Sequence, residues 1–253
     1  MRAVIFGDGP MGRALAGALD ARDDPVEVRG RPASGAHPAA ELAGADVVFD
    51  ASVGPAVRGN VAAALAGGCR SIVVATTGWN EDRGYVDDDL RCAGAAGVWA
   101  SNFSLGTALF GRLVDEAAAL YRCVAAFDPF IVEWHRRAKR DRPSGTARDL
   151  AARLRGEDEL EVVSVRAGSS PGMHLVGFDA PGETVELRIT ARDRSAYAAG
   201  ALAAADWLVQ SQRAPGLHPF DAVVDELLAA PIQPAGDGQP LPAAISSTQR
   251  STS

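Results

Sequence analysis

The sequence predicts two domains, an N-terminal α/β domain on a parallel sheet and a C-terminal α+β domain with a mixed sheet. Three observations carry this expectation. Short apolar runs alternate with helix-period segments from residue 1 to about residue 100. A glycine cluster, Gly7 to Gly12, sits between the first run and the first helical segment. Beyond Ser104 several strand-like runs follow one another without crossover helices. The expected division is 1–104 plus about 206–231 for the first domain, 105–205 for the second, and a disordered tail at 232–253.

The elements follow in order. MRAVIF at 1–6 is a continuous apolar run, as expected of a strand buried on both faces. Met11, Leu15, Ala18 and Leu19 recur at helical spacing up to about Ala21. Strands are expected at Val26–Val28, Asp46–Asp50, Ser71–Ala75 and Val98–Ala100, with helices at Val57–Ala66 and Asp87–Ala95. The second domain should open with a helix from Gly106 to Tyr121, then a strand from Ala126 to Trp134. Gly145–Leu154 reads as helix, Glu161–Arg166 and Thr184–Ala191 as strands, and His174–Phe178 as a third strand between them. The span from Gly168 to Gly182 reads as compact. Ser195–Gln210 is an alanine-rich helix, His218 falls in a Gly-Leu-His-Pro turn, and 219–230 is a last amphipathic helix. The tail carries Pro, Gly, Gln, Ser and Thr with almost no large apolar side chain.

Bulk properties exclude several functions. The 253 residues are 47% hydrophobic and 23% charged, with a net charge of −7 and a pI near 5.1. That balance argues against nucleic-acid or anionic-membrane partners, though not against a small anion held by a local basic cluster. Cys69, Cys92 and Cys123 are scattered and odd in number, so neither a disulfide framework nor a metal site is expected. With no signal peptide and no apolar run of membrane-spanning length, the expected location is the cytoplasm.

Gly7-Asp8-Gly9-Pro10-Met11-Gly12 is a G-x-G-x-x-G between strand and helix. The first glycine permits the tight turn, the second lets a pyrophosphate approach the backbone, and the third lets helix pack on strand. The helix N-terminus adds unpaired N–H groups and a positive dipole end. This is the fingerprint of a Rossmann-type dinucleotide site; a glycine-rich turn without a ligand is the plain alternative. The second strand ends Val28-Arg29-Gly30-Arg31, and Arg29 is placed to pair with a 2′-phosphate, favouring NADPH over NADH. Glu27 is the competing candidate, as a ribose ligand. Ala75-Thr76-Thr77-Gly78 follows a buried strand at its carboxyl end, where open α/β sheets bind ligands.

The run from Glu133 to Ala147, EWHRRAKRDRPSGTA, concentrates arginines, Lys139 and His135 in an acidic chain. Ser144-Gly145-Thr146 opens a predicted helix, offering two hydroxyls and unpaired N–H groups to an anion. A basic loop ending in a serine N-cap would look the same. The block resembles the signature E-x-H-H-x-x-K-x-D-x-P-S-G-T-A of the 4-hydroxy-tetrahydrodipicolinate (dihydrodipicolinate) reductases of bacterial lysine and diaminopimelate biosynthesis. The resemblance extends to GDGPMG, to ATTGW at 75–79, to SNFSLG at 101–106, to Arg166-Ala167-Gly168 with His174, and to the helix from Arg194 to Leu208.

That resemblance implies reduction of a cyclic conjugated imine dicarboxylate with NADPH or NADH, in a homo-oligomer, tetramer or dimer. It implies a general acid at His135, charge stabilisation by Lys139, and a carboxylate cradle at Ser144, Gly145 and Thr146 with Arg136 beside it. It further implies cofactor contacts from Gly7 to Gly12, at Ala75 to Gly78, and at Ser101, Asn102 and Phe103 near the domain junction. Residues 1–104 would then bind the dinucleotide, and 105–205 the substrate and the oligomer partners. Arg136 replaces the second histidine of the signature, and Ala138 a later histidine of the family's loop. A paralogue acting on a related imine or keto acid, or a silent nicotinamide sensor, is the alternative those changes suggest. His37 reads as a structural or solvated loop residue, and for His174 a strand-surface position competes with a site role.

Overall fold

The computed structural model describes residues 1–22, 24, 26–29 (by backbone), 42–154 and 160–229. The side chains of Glu27 and Arg29, residues Gly30, Arg31 and His37, and the tail from 232 lie outside the described residues. The chain divides into two compact units, one of Met1–Phe103 with the segment from Tyr197 onward, the other Ser104–Ala196. The sequence reading puts the return near residue 206; the division puts it at Tyr197, near the start of a helix.

The first unit carries a parallel sheet of β1 (Ala3–Phe6), β2 (Val26–Arg29), β3 (Val47–Asp50), β4 (Ser71–Val74), β5 (Ala96–Trp99) and β10 (Gly216–Pro219). Their order is β10-β5-β4-β3-β1-β2, with every neighbouring pair parallel. All residues of β1 and β3 are buried, which is why β1, and β3 up to its closing Asp50, read as apolar runs. Val4, Phe6, Val48, Ile72 and Val74 pack with α2 (Val57–Ala66) and α3 (Arg83–Cys92) through Val57, Val61, Ala64, Val86 and Leu90. The alternate residues Ala3, Ile5, Val47, Phe49 and Val73 are equally buried and face the other way. On α1 (Pro10–Asp20), Leu15 and Leu19 are buried, and Arg22 just past its end makes two 2.9 Å bonds to Asp206.

Two expectations are corrected here. The Gly-Leu-His-Pro segment is a strand, not only a turn: β10 pairs with β5, and Leu217 N–H donates to Asp87 Oδ1 at 2.7 Å. With Leu217 its lone large aliphatic residue, that strand has no periodicity to betray it. The helix and strand before the junction also fall earlier than expected, at Arg83–Cys92 and Ala96–Trp99. Gly94, at φ 62°, turns the chain between them, and Gly97 admits Leu90 against β5.

The second unit is a four-stranded mixed sheet, β7-β6-β8-β9, with α4 (Leu105–Tyr121) and α5 (Gly145–Leu154) packed on one face. Its strands are β6 (Asp128–His135), β7 (Glu161–Arg166), β8 (Gly172–Ala180) and β9 (Glu183–Ala191). β7 is parallel to β6, β8 antiparallel to β6, and β9 antiparallel to β8. The stretch read as compact holds a nine-residue strand, β8. Ile131, Val176 and Phe178 meet Phe110, Val114, Leu150 and Leu154 beneath the helices, and Tyr121 stacks on Phe178 at 4.4 Å. On the opposite face Trp134, Val163 and Val165 are exposed. Among the described residues no helix is long and apolar enough to cross a membrane.

The last long helix, α6 (Ser195–Gln210), depends on a small residue. A Cβ at Gly200 would sit 1.7 Å from the Phe103 carbonyl oxygen, whereas at Gly17 on α1 it would meet open space. Gly200→Ala should therefore cost about 1–3 kcal/mol through overpacking, and Gly17→Ala should add about 0.5–1 kcal/mol through helix propensity. Urea unfolding of both variants checks this; equal stability of Gly200→Ala and the wild type would contradict the packing argument.

Candidate active site

In the first unit the glycines of the loop after β1 divide their work. A Cβ at Gly7, whose φ is +109°, would lie 2.4 Å from Ala51 O, and one at Gly12 would lie 2.0 Å from Gly7 O. Both are held glycine by backbone packing. Gly9 meets nothing within 4 Å, and it is the N-cap of α1, with no side-chain cap and Pro10 at the first turn. The helix N-terminus is thus left for an outside acceptor, and the space beside Gly9 is clear for it. Asp8 and Pro10 are exposed, and Gly9 and Met11 half-buried. That arrangement fits a dinucleotide pyrophosphate.

The strand order reverses at β1, with β2 on one side and β3 on the other, and the crevice at such a point is where open sheets take ligands. At the carboxyl end of β3, Asp50 is 1% exposed. It accepts from Ser52 N–H (3.0 Å), Ser52 Oγ (2.7 Å), Thr76 Oγ1 (2.6 Å) and Asn60 Nδ2 (2.8 Å). One carboxylate thereby ties the ends of β3 and β4 to α2. Sequence reasoning missed it; the signal was an acidic residue closing an otherwise apolar strand. Thr76 is consequently buried and structural, Ala75 is half-buried, and Thr77 and Gly78 stay exposed. Gly54 lets the two loops touch, since its Cβ would lie 2.2 Å from Gly78 O. Ser101 is exposed and Asn102 half-buried, but Phe103 is 2% exposed and packs on Phe220 at 5.0 Å.

In the second unit the alternation of three adjacent strands assembles the chemistry. Ile131, Glu133 and His135 of β6 share a face, as do Val162, Ser164 and Arg166 of β7, and His174, Val176 and Phe178 of β8. Register sets Glu133 beside Ser164 on one side and His174 on the other. The apolar members form the core, and the polar members gather at one end of it. Glu133 is fully buried, and its Oε1 accepts from Ser144 N–H (3.0 Å), Ser164 Oγ (2.5 Å) and Arg166 Nη2 (2.7 Å). Burial raises this carboxyl, but donors from Ser144, Ser164 and Arg166 outweigh it and hold the pKa at about 2. The other oxygen, Oε2, lies 3.0 Å from His135 Nδ1 and 3.9 Å from His174 Nε2.

Both imidazoles are buried, their rings 5.1 Å apart. Burial lowers the His135 pKa and Lys139 and Arg166 add to this, while Glu133 opposes. Burial and the facing His135 push His174 down to about 4. His174 is therefore neutral, its Nε2 3.1 Å from Ser144 Oγ, which also caps α5 by accepting from Ala147 N–H. Gly145 is exposed and Thr146 half-buried at the open N-terminus of α5. Lys139 Nζ pairs with Asp141 at 2.9 Å, and Arg136 is exposed. Glu133, His135 and His174 are spaced closely enough to hold a cation. The carboxylate is already neutralised by Arg166, and Lys139 adds positive charge, so the electrostatics disfavour one. The sequence reading quoted Glu133 and Arg166 within the family resemblance but gave them no role, and it missed Ser164, whose only signal was a polar residue two before Arg166 within Val-Val-Ser-Val-Arg.

The sequence-expected residues thus fall in two groups, the glycine loop and the β4 turn in one unit, His135, Lys139 and Ser144–Thr146 in the other. The buried groups make the fold acid-labile with a definite sign. Between pH 6.5 and about 4 the unfolded chain protonates His174 and the folded one does not, so stability rises with pH across that window. Glu133 acts in the same direction between 4.5 and about 2. Denaturant unfolding from pH 7 to 4 should lose up to about 3 kcal/mol on this account, and His174→Gln should flatten the slope. An unchanged slope in that variant would assign the lability elsewhere.

Comparison with known proteins agrees with this layout. Residues 106–224 match the family model for the dihydrodipicolinate reductase C-terminus. The 4-hydroxy-tetrahydrodipicolinate reductase of Wolinella succinogenes is 35% identical over 194 residues, 68% of this chain and 74% of that one. Its counterpart in Methanococcoides burtonii is 31% identical over 197 residues, 71% of this chain and 73% of that one. Among solved structures, the dipicolinate-bound dihydrodipicolinate reductase of Paenisporosarcina shares the fold, with a TM-score of 0.67 at 20% identity over 87% of this chain and 97% of that one. A two-unit chain with this buried cluster and these relatives belongs to the 4-hydroxy-tetrahydrodipicolinate reductase family.

Proposed function

We propose that the chain reduces 4-hydroxy-tetrahydrodipicolinate, a cyclic imine dicarboxylate of lysine and diaminopimelate biosynthesis, with NADPH or NADH. The observation that supports the reading is the run from Glu133 to Thr146, in which the imidazole of His135, the ammonium of Lys139 and the N-terminus of α5, capped by Ser144, all belong to one short stretch of the second unit. Gly7 to Gly12 would hold the pyrophosphate, with Thr77, Gly78, Ser101 and Asn102 toward the nicotinamide and Arg29 toward a 2′-phosphate. When bound, the reduced nicotinamide supplies a hydride.

The chain's own residues do the rest. At the Ser144-Gly145-Thr146 cradle, Gly145 and Thr146 would take a substrate carboxylate on their N–H groups and the Thr146 hydroxyl, while Ser144, already bonded to Glu133, His174 and Ala147, fixes where the helix begins; the helix dipole favours negative charge there. Lys139 would stabilise negative charge developing on the substrate. His135 would deliver a proton to the carbanion or enamine left by hydride addition, as a general acid. The exposed apolar row Trp134, Val163 and Val165 supports a homo-oligomer, tetramer or dimer. The cytoplasm is the corresponding location. Exposed Arg136, where the family signature has a histidine, and exposed Ala138, where the family's loop has a later one, favour a second reading: a paralogue acting on a related cyclic imine or keto acid.

The test is oxidation of NADPH or NADH by the purified protein with freshly generated 4-hydroxy-tetrahydrodipicolinate. His135→Ala and Lys139→Ala should each lower turnover by about 100- to 10,000-fold with nicotinamide binding intact. Binding without oxidation would reject this substrate, and a panel of cyclic imines would then be tried. Arg29→Ala should raise KM for NADPH more than for NADH; an equal effect would remove Arg29 from the 2′-phosphate site.

A further inference from the structure

Glu133 touches no substrate in the reading above, yet it is ionised and has no exposed surface. Its Oε1 accepts from Ser144, just before α5, and from Ser164 and Arg166 on β7, so the carboxylate is held in one orientation. Its Oε2 has no hydrogen bond to any described residue, and neither has His135 Nδ1, 3.0 Å away. Each is the other's remaining partner. The far side of the same ring faces Gly172, where a Cβ would lie 3.0 Å from His135 Nε2. A glycine there keeps Nε2 clear of any side chain from that backbone.

We propose that Glu133 is the positioning residue that fixes the tautomer of His135, holding the proton on Nδ1 and presenting Nε2 as the proton-delivering atom. The inference rests on the reductase reading only for its kinetic consequence. In the imidazolium both nitrogens carry protons. Nε2 gives its proton to the substrate carbon that becomes C–H, and the Nε2–H bond pair stays on the ring. What remains is the Nδ1–H imidazole, the form that an acceptor at Oε2 favours, so no ring rotation is required before the next proton arrives from solvent. The charged groups acting on His135 are Glu133 on β6, Lys139 and Asp141 on the loop, Arg166 on β7, with neutral His174 facing it from β8. Glu133 and Asp141 favour the imidazolium; Lys139, Arg166 and burial oppose it.

The variant that isolates the charge is Glu133→Gln, which keeps shape and an acceptor oxygen. Activity from a general acid falls as pH rises through its pKa, and removing a facing negative charge lowers that pKa. The falling limb of kcat should therefore move to lower pH by about one unit or more, with turnover above it down about tenfold per unit and KM for the nicotinamide unchanged. An unmoved limb, whether activity is retained or lost uniformly across pH, overturns the proposal. Should the variant not fold, nitrogen-15 NMR of histidine-labelled wild-type protein above the His135 pKa decides: protonated Nδ1 supports it, protonated Nε2 overturns it. The NMR outcome stands apart from turnover, so absence of activity on the named substrate would reject the reading without touching the tautomer.

Discussion

A carboxylate removed from water must be given its hydrogen bonds by the protein, at a cost of several kcal/mol if it is not. Glu133 has no exposed surface, and the second unit is arranged to meet that demand. Ser164 and Arg166 come from β7, and the first backbone N–H of α5 comes from Ser144. Satisfying one anion thus fixes the register of β7 against β6 and the point at which α5 begins. The open end of α5 and the imidazole of His135 inherit their positions from the same atom pair.

The first unit repeats the logic with a different acid. Asp50 gathers Ser52, Asn60 and Thr76, and that joins two loops whose closeness also needs Gly54. The exposed Thr77 and Gly78 are therefore carried on a turn anchored from beneath by their buried neighbour. Each unit sets exposed residues of its candidate site one step away from a buried carboxylate that several donors hold in place.

The sheet in the first unit was legible because apolar runs buried on both faces need no tertiary information to be recognised, as β1 and β3 show. The loop roles of Gly7, Gly9 and Gly12 were legible because strand, turn and helix lie consecutively. What escaped depended on pairing. Ser164 and His174 reach Glu133 only once β7 and β8 are set on either side of β6, and no local pattern states that register. β10 escaped for a related reason: four residues with a single large aliphatic side chain become a strand only because β5 offers an edge. The family signature compensated at the site, since it marked His135, Lys139 and Ser144 without knowledge of the sheet.

The way the chain leaves and re-enters the first unit bears on biosynthesis. The second unit is one continuous stretch, whereas β10 and most of α6 arrive after it. Domains fold as units while the chain emerges from the ribosome. Here the later-starting unit has its full set of strands by Ala191, while the earlier one still has an open β5 edge and no Phe220 to cover Phe103. The inserted unit is the first to be complete on the ribosome, and the parallel sheet of the first unit is closed last, by residues beyond 215.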